Sequence, residues 1–421
     1  MSVVSYLRLA GAHPRFLSFG FAMTFAACAG QTVIVGAFGP AVRAEYGLSH
    51  TAWSAIYMAG TLASAVILPW TGQQIDRFPL RPFAIAVCVG LVVASAFMAL
   101  VPSAVFLIVA IFLLRQMGQG LASHTGKTAT ARFFRADRGK ALAVIMLGDA
   151  VGKAVLPFIA VLLIAAIGWR ATYGLAAAIT AFVILPMVWW LLQGHGSQQA
   201  AFEGAGQRPA HGVAEPAYPD SWSRGQVMRD PRFYMLLPAV LAPAFVSTAL
   251  FFHNLEIASV KGWSAAWMTG SYWIHAAGSI FAAFAGGPLI DRITAARVLP
   301  GFLLPLVLGL SIIWVFDAAY WVWPYLLLVG LTTGLGNTAV TSLWAEVYGV
   351  RHLGAIRSLY VSLMVFSSAL GPLAMGALMD WSVSVETICA MMAVYCLAAT
   401  GLMLFALNGY KRPVSALDPR S

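Results

Sequence analysis

Twelve long apolar stretches dominate the chain and limit what it can fold into. A membrane-spanning helix needs about 20 mostly apolar residues, because each residue advances about 1.5 Å across a hydrocarbon layer about 30 Å thick. Of the 421 residues, 60% are hydrophobic and only 10% are charged, too few polar residues for an ordinary soluble surface. We therefore predict an all-α membrane protein. The predicted spans, numbered helix 1 to helix 12, are 16–42, 51–74, 82–102, 104–131, 138–164, 169–192, 233–257, 264–288, 296–316, 321–345, 355–379 and 385–407.

A short motif occurs twice in the chain, at an offset of 215 residues. Gly72-Gln73-Gln74-Ile75-Asp76-Arg77 ends helix 2, and Gly287-Pro288-Leu289-Ile290-Asp291-Arg292 ends helix 8. Internal duplication in a membrane protein points first to a transporter, because alternating access is most simply built from two halves around a central site. The same offset relates Gly139 to Gly354 and Pro157 to Pro372, so the repeat covers half a chain.

A polar segment divides the twelve spans into two sets of six. Residues 193–232 are rich in Gly, Gln, Ala, Pro and Ser and carry both charge signs, so they cannot form a packed core of their own. We predict an N-terminal six-helix bundle at 1–192, a cytoplasmic linker at 193–232, and a C-terminal six-helix bundle at 233–421 that ends in a short tail. The two bundles should be pseudo-symmetric.

The basic residues of the short loops set the orientation. Nineteen Lys and Arg residues fall on one side of the predicted spans and only Arg43, Arg170 and Lys261 on the other. Because cytoplasmic loops carry the excess of Lys and Arg, both termini should be cytoplasmic. The same distribution explains the net charge of +10 without nucleic acid, which would need a basic patch on a soluble face.

Two six-helix halves, a cytoplasmic linker and a Gly-x-x-x-Asp-Arg motif after helices 2 and 8 resemble the major facilitator superfamily. The resemblance implies the fold of that family. We expect the motif carboxylates to accept hydrogen bonds from the N-terminus of a facing helix, and the motif glycines to allow close helix packing. A role limited to topology and turn geometry is the alternative. The resemblance assigns to the cytoplasmic gate Gly72, Asp76, Arg77, Gly287, Asp291 and Arg292.

A narrower resemblance lies around helices 4 and 5. Arg115-Gln116-Met117-Gly118-Gln119-Gly120, followed by Ala131-Arg132-Phe133-Phe134, is similar to monocarboxylate-transporter-like bacterial members of the superfamily. The resemblance implies a multi-pass protein of a bacterial-type plasma (inner) membrane. In helix 8, where characterised monocarboxylate carriers place an Asp and Arg pair, this chain has Tyr272, Trp273 and His275.

Ionisable residues within the spans are the first place to look for a site, because they are costly in lipid and normally face a cavity or a partner. Arg115, Asp149 and Lys153 fall near mid-bilayer, and the last two, four residues apart on helix 5, should form a pair. One positive charge then remains for an anionic substrate, and arginine suits a carboxylate because it can donate two parallel hydrogen bonds. The alternative is a static network of the three that locks helices 4 and 5 together, with Gly148 and Gly152 as close-packing points.

Other polar residues complete the predicted site. Arg115 and Lys153 are expected to bind substrate together with Gln31, Gln119, Asn337 and Thr338, for which interhelical hydrogen bonds are the alternative use. Proton coupling needs a titratable group whose surroundings change between states. Lys127 of helix 4 is not among the coupling candidates, because it lies nearer the inside and its side chain can simply extend (snorkel) to the cytoplasm. The candidates for proton coupling are Asp149, His275, Glu256 and His253, the last two nearer the outer mouth and as suited to gating.

These features predict a secondary active transporter that moves a small organic anion, most simply a carboxylate, by proton symport and alternating access. A proton-antiport exporter of drugs or metabolites is the alternative. An enzyme is not predicted, because neither helix-borne metal ligands with an acid nor a nucleophile with a base occurs. No cofactor or metal is expected. The partners are the small-molecule substrate, protons and the lipid bilayer, and a single chain should suffice as a monomer.

Overall fold

The computed structural model describes residues 3–134, 137–194, 222–349 and 351–408, and regular structure in these ranges is helical. Eleven continuous helical stretches there are long and apolar enough to cross a membrane. One of them, Arg138–Leu191, contains both helix 5 and helix 6. It bends at Gly168, where φ is 79° and ψ is 162°, a backbone conformation that favours glycine. The twelve predicted membrane helices are therefore confirmed.

Several helices of the first half contain a local break. Helix 1 is interrupted by one 3₁₀ turn, and helices 4 and 6 each contain a π-helical segment, where one carbonyl position is skipped and side chains turn to a new face. A short helix, Val3–Ala12, precedes them. The bounds are Pro14–Ala26, Ala27–Gly30 (3₁₀) and Thr32–Tyr46 for helix 1, His50–Gly72 for helix 2, Leu80–Leu100 for helix 3, Phe106–Leu114, Arg115–Ala122 (π) and Ser123–Phe133 for helix 4, Arg138–Ile179 for helix 5 and the start of helix 6, and Thr180–Ile184 (π) and Leu185–Leu191 for the rest of helix 6.

The second half begins with a four-residue helix, Arg224–Val227, whose start carries a capping box between Ser223 and Gln226. Helix 7 is interrupted at His253 and helix 8 at Ser271. The bounds are Pro231–Phe252 and Asn254–Val260 for helix 7, Ala265–Gly270 and Tyr272–Ile293 for helix 8, Ala295–Val298, Leu299–Gly301 (3₁₀) and Leu304–Val315 for helix 9, Ala319–Trp321 (3₁₀) and Val322–Tyr348 for helix 10, Leu353–Asp380 for helix 11 and Val385–Leu407 for helix 12.

The chain forms two compact units. The first consists of Met1–Ala214 with Thr248–Ala276 and Ala369–Val383, and the second of Glu215–Ser247 with Ala277–Ser368 and Ser384–Ser421. The first unit thus combines the first six membrane helices with parts of helices 7, 8 and 11. The site considered below lies within this first unit.

Small residues decide which helices touch in the first unit. Its helices are apolar on most faces, so a hydrophobic stripe does not select a partner, whereas glycine lets two backbones approach closely. A Cβ built on Gly148 would lie 2.3 Å from the carbonyl oxygen of Phe21, and one on Gly152 would lie 2.5 Å from Cys28 Sγ. The expectation that these two glycines pack helix 5 on helix 4 is therefore wrong. They pack helix 5 on helix 1.

Candidate functional site

The break in helix 1 lies directly against the π-helical segment of helix 4. A Cβ on Gly30 would be 2.2 Å from the carbonyl oxygen of Leu114, and one on Gly118 would be 2.8 Å from the backbone nitrogen of Gly30. Gln31, the next residue, is extended, with φ of −77° and ψ of 149°. Only glycine fits at either contact. This backbone contact determines the positions of the side chains beside it, those of Gln31, Thr32 and Arg115.

Arg115 is the first residue of the π-helical segment and is almost fully buried, with 6% of its surface exposed. Its Nη1 donates to the carbonyl oxygen of Gly30 at 3.2 Å and lies 3.5 Å from Thr32 Oγ1. The guanidinium carbon lies 5.2 Å from the ring centre of Tyr57, a cation–π contact. The Tyr57 hydroxyl shares a hydrogen bond with Thr32. Backbone, hydroxyl and ring together hold the guanidinium in one orientation.

No carboxylate neutralises Arg115 in the part of the chain that the structure describes. Within the same residues its Nε and Nη2 make no hydrogen bond, and only Nη1 donates. A guanidinium has five N–H donors, and the Nε and Nη2 pair matches the two oxygens of a carboxylate. Arg115 therefore offers a free bidentate edge for an anion.

The predicted pair on helix 5 forms. Lys153 Nζ donates to Asp149 Oδ2 at 2.7 Å, and Gln31 Nε2 donates to Asp149 Oδ1 at 3.2 Å. Arg115 does not take part, so the static three-residue network with Arg115 is absent from the described contacts. The residues around the helix 1 break thus contact Arg115 on helix 4 and Asp149 on helix 5. They bring the buried arginine and the internally neutralised pair to one place.

The remaining predicted substrate residues divide between the two units. Gln119 lies in the π-helical segment, and its buried Oε1 has no hydrogen-bond partner among the described residues. In the second unit, Asn337 is exposed, and the Thr338 hydroxyl donates to the carbonyl oxygen of Gly334 at 3.2 Å, one turn back in helix 10. The hydrogen bond of the Thr338 hydroxyl is therefore made within its own helix. His275 packs edge-on against Phe251 with ring centres 4.9 Å apart.

His253 and Glu256 lie in a cluster at the ends of helices 1, 2, 7 and 11 that are opposite the Gly72–Arg77 motif; we call it the outer cluster. Glu256 forms an ion pair with Arg43 of helix 1. His253 Nε2 lies 2.9 Å from the carbonyl oxygen of Pro372 in helix 11 and 3.3 Å from Ser54 Oγ in helix 2. Two of these contacts, Glu256 with Arg43 and His253 with Ser54, join the first six helices to the second six, and the third joins helices 7 and 11. Both residues are thus placed where they can hold helix ends together.

Asp380, the last residue of helix 11, is the member of the outer cluster that sequence reasoning missed. Its carboxylate accepts the backbone N–H groups of His50 and Thr51, at 3.0 and 2.8 Å, in the first turn of helix 2. Gly376, one turn earlier, packs against the backbone of His50, since a Cβ there would be 2.8 Å from the His50 oxygen. An acid at the end of an apolar span was the available signal. It is indistinguishable in sequence from a topology-setting residue.

The duplicated Gly-x-x-x-Asp-Arg motif differs from expectation in its contacts. Asp76 forms an ion pair with Arg132 at the end of helix 4, not with a helix N-terminus. In the second unit Glu346 of helix 10 accepts the N–H groups of Ala295 and Ala296, at 2.7 and 3.2 Å. A glutamate of helix 10 thus makes a cap of the kind that we expected from the motif aspartates. The side chain of Asp291 lies outside the described residues.

The packing of the motif glycines also differs from the expectation of close helix packing, which only one glycine position near the second motif meets. A Cβ on Gly287 would meet no atom within 4 Å, whereas one on Gly286 would lie 2.9 Å from Leu335 Cδ1. Close packing in that copy thus belongs to the preceding residue. Gly72 is buried, and a Cβ on it would lie 3.6 Å from His124 Nε2, an ordinary contact distance. Within the described residues the two motif arginines, at positions 77 and 292, are exposed.

Comparison with known proteins gives one curated relative and several solved structures. A gallate transporter of Pseudomonas putida is 25% identical over 185 residues, which is 44% of this chain and 40% of that protein. The matched part thus spans well under two thirds of the relative. The nucleoside transporter NupG superposes with a TM-score of 0.73 at 11% identity, covering 95% of this chain and 99% of that one. A bacterial homologue of the human lysosomal transporter Spinster, in an inward-facing and occupied conformation, gives a TM-score of 0.65 at 15% identity, covering 93% of each chain.

The family model described as Major Facilitator Superfamily matches residues 20–372, from helix 1 into helix 11. At such low identity the solved structures show a shared fold and nothing about cargo, but the family match extends over most of the sequence. It agrees with the twelve membrane helices and the duplicated motif. The chain is a multi-pass membrane transporter and not an enzyme, and it belongs to the major facilitator superfamily.

Proposed function

We propose that this transporter carries a small organic anion, a carboxylate, together with protons by alternating access. The observation that supports the proposal is Arg115, a buried guanidinium with no carboxylate partner and with Nε and Nη2 unused in the described chain. Burying an unpaired charge is costly. A substrate carboxylate would remove that cost on binding, and so the site favours an anion over a neutral or cationic molecule.

The surroundings of Arg115 favour an anion over a zwitterion or a cation. Asp149, an acid near the helix 1 break, is already bound by Lys153 at 2.7 Å and by Gln31 at 3.2 Å. The two lysine and aspartate charges cancel, so the arginine sets the local sign. The resemblance to a gallate transporter over part of the chain supports a carboxylate and favours an aromatic one.

Proton coupling is proposed for Asp149 and His275. Asp149 would exchange its bond to Lys153 for a proton when an anion approaches, and His275 lies within electrostatic range of Lys153. The outer cluster, with His253 and Glu256, is assigned to gating. We further propose a monomeric carrier in a bacterial-type inner membrane with both termini in the cytoplasm, as the basic residues of its loops suggest.

Binding and uptake in proteoliposomes test this function. Purified protein would be screened by thermal shift against small carboxylates, with gallate as the first probe, and then assayed for uptake driven by an inward proton gradient. Binding of lipophilic cations without any carboxylate would show that the anion hypothesis is wrong and would favour a proton-antiport exporter.

Three variants test the role of Arg115. Removing one partner of a buried charge pair costs about 2–5 kcal/mol, so Arg115→Gln should weaken carboxylate binding at least about 30-fold. Arg115→Lys keeps the charge but loses the fork and should give an intermediate loss. Arg81→Gln is the matched control, because Arg81 also stacks on an aromatic ring, that of Trp189 at 4.8 Å. Unchanged binding in folded Arg115→Gln would refute the assignment.

A further inference from the structure

The last part of helix 4 carries a polar face that protein covers only in part. Ser123, His124, Lys127 and Thr128 are half-exposed, while the other side of the same segment, including Gly126 and Thr130, is buried. Polar and charged side chains within a membrane helix face water or a partner, because exposure to lipid is costly. This face of helix 4 is therefore placed to line an aqueous path.

Lys127 carries an uncompensated charge on that face. Among the described residues no carboxylate lies within ion-pair distance of its ammonium group. Asp149 acts on it as an attractive charge and Lys153 as a repulsive one. Asp149 is already bound by Lys153 at 2.7 Å. The three residues together therefore leave one positive charge.

The direction of the helix shows where Lys127 points. Side chains of an α-helix lean toward its N-terminus, and helix 4 runs from Phe106 to Phe133. Lys127 thus leans away from the end at which Arg132 pairs with Asp76. Snorkelling toward that end, the simple interpretation from sequence, would require the opposite direction. The electrostatic interaction with Asp149 agrees with the lean toward the middle of the helix.

The π-helical segment aligns Lys127 with Arg115. Twelve residues separate them, which in a regular α-helix would place them about 120° apart, at about 100° per residue. One extra residue in the π-helical segment Arg115–Ala122 reduces this angle to about 20°. Their α-carbons are about 17 Å apart along the axis, at about 1.5 Å for each of the eleven regular steps. A small monocarboxylate cannot contact both cations at once, so they would act in succession.

We propose that Lys127, beside the Asp149–Lys153 pair, forms a second anion-binding position, which an anion occupies between Arg115 and the end of the path near Arg132. The proposal rests on the proposed function for its substrate, but the position itself is defined by charge. The positive charges of Arg115 and Lys127 along helix 4 lower the energy barrier that an anion meets after it leaves Arg115. Phe21 and Phe25 of helix 1, half-buried and stacked 6.4 Å apart, supply apolar surface to the same unit.

A chemical probe tests the position without any substrate. Ser123→Cys places a thiol one turn from Lys127 on the same face, and the four native cysteines are buried. In detergent, the ratio of modification rates by a sulfonate and by a trimethylammonium methanethiosulfonate reports the local charge. Lys127→Gln should lower this ratio at least about tenfold, as expected for one unit charge within about 8 Å in a partly aqueous site. Lys127→Arg should preserve it.

Lys140→Gln is the matched control, since Lys140 is neutralised by Asp137 at 2.7 Å. It should leave the reagent ratio within twofold of the parent. A ratio that Lys127→Gln also leaves within twofold would overturn the proposal. A lowered rate ratio in Lys127→Arg would also overturn the proposal, because the ratio would then report the shape of the side chain and not its charge.

A transport measurement separates this proposal from the proposed function. With gallate as probe, Lys127→Gln should raise KM about tenfold for transport from the Arg132 side, measured in vesicles of the corresponding orientation, and change KM from the opposite side less than twofold. If no carboxylate is transported but the reagent ratio falls, the anion position stands and the proposed function is wrong. If gallate is transported and Lys127→Gln changes neither readout, the position is wrong and the proposed function stands.

Discussion

Asp380 of helix 11 should hold the outer ends of the helices together, and its removal should favour the state in which they separate. Its carboxylate accepts the backbone N–H groups of His50 and Thr51, which begin helix 2. Helices 2 and 11 come from different halves of the sequence. In alternating access the path opens to one side at a time, so these two hydrogen bonds must break whenever the outer side opens.

The size of the effect follows from the type of bond. A hydrogen bond to a charged group contributes about 1.5–3 kcal/mol, and a negative charge at a helix N-terminus about 0.3–1 kcal/mol. Asp380 is exposed, so solvent and screening reduce both contributions. We take about 1.4 kcal/mol as the net loss in Asp380→Asn, which corresponds to a tenfold shift in the conformational equilibrium.

Thiol labelling measures this shift. Ser54 is fully buried beneath the outer cluster, so in Ser54→Cys the rate of reaction with a membrane-impermeant thiol reagent, added from the outer side, reports opening. Asp380→Asn in that background should raise the rate about tenfold. Glu45→Gln is the matched control, because Glu45 forms an outer ion pair with Arg170 that lies within the first six helices. Labelling of Asp380→Asn within twofold of the parent and of Glu45→Gln would refute the reasoning.

Three further predictions follow from the packing and from the charged pair. Gly30→Ala should lower the melting temperature or prevent folding, because its Cβ would lie 2.2 Å from a backbone oxygen, whereas Gly11→Ala, with no atom within 4 Å of its Cβ, should not; equal thermal-shift curves would contradict this. Asp149→Asn and His275→Ala should reduce the dependence of uptake on the pH gradient while exchange continues, and unchanged dependence in both would eliminate them. Glu346→Gln should lower stability by about 1 kcal/mol, because it removes the charge that caps helix 9, and a melting temperature equal to that of the parent would show that the cap is unimportant.

Much of the fold was predictable from sequence. The bend between helices 5 and 6 coincides with Gly168, where the backbone conformation favours glycine. Arg115 could be singled out because an ionisable residue in an apolar span needs a reason. The contacts of Arg115 could not be predicted. The 3₁₀ turn Ala27–Gly30, which presents a carbonyl oxygen to Arg115, is formed by ordinary small residues. For Lys127 the sequence favours snorkelling, because the π-helical alignment with Arg115 does not show in sequence.

The sequence by itself determined residence in the membrane, the number of spans and the internal repeat. These properties depend on hydrophobicity summed along consecutive residues, which needs no knowledge of neighbours in space. The spacing of Asp149 and Lys153 on one helix already predicted their pairing, but only the tertiary structure decided that Glu256 pairs with Arg43 and that Arg115 has no acid partner in the described chain. An ion pair requires atoms within about 4 Å, and among uniformly apolar helices that proximity is set by glycine contacts between distant segments. The free charge of Arg115, on which the proposed function depends, is therefore a property of packing and not of composition.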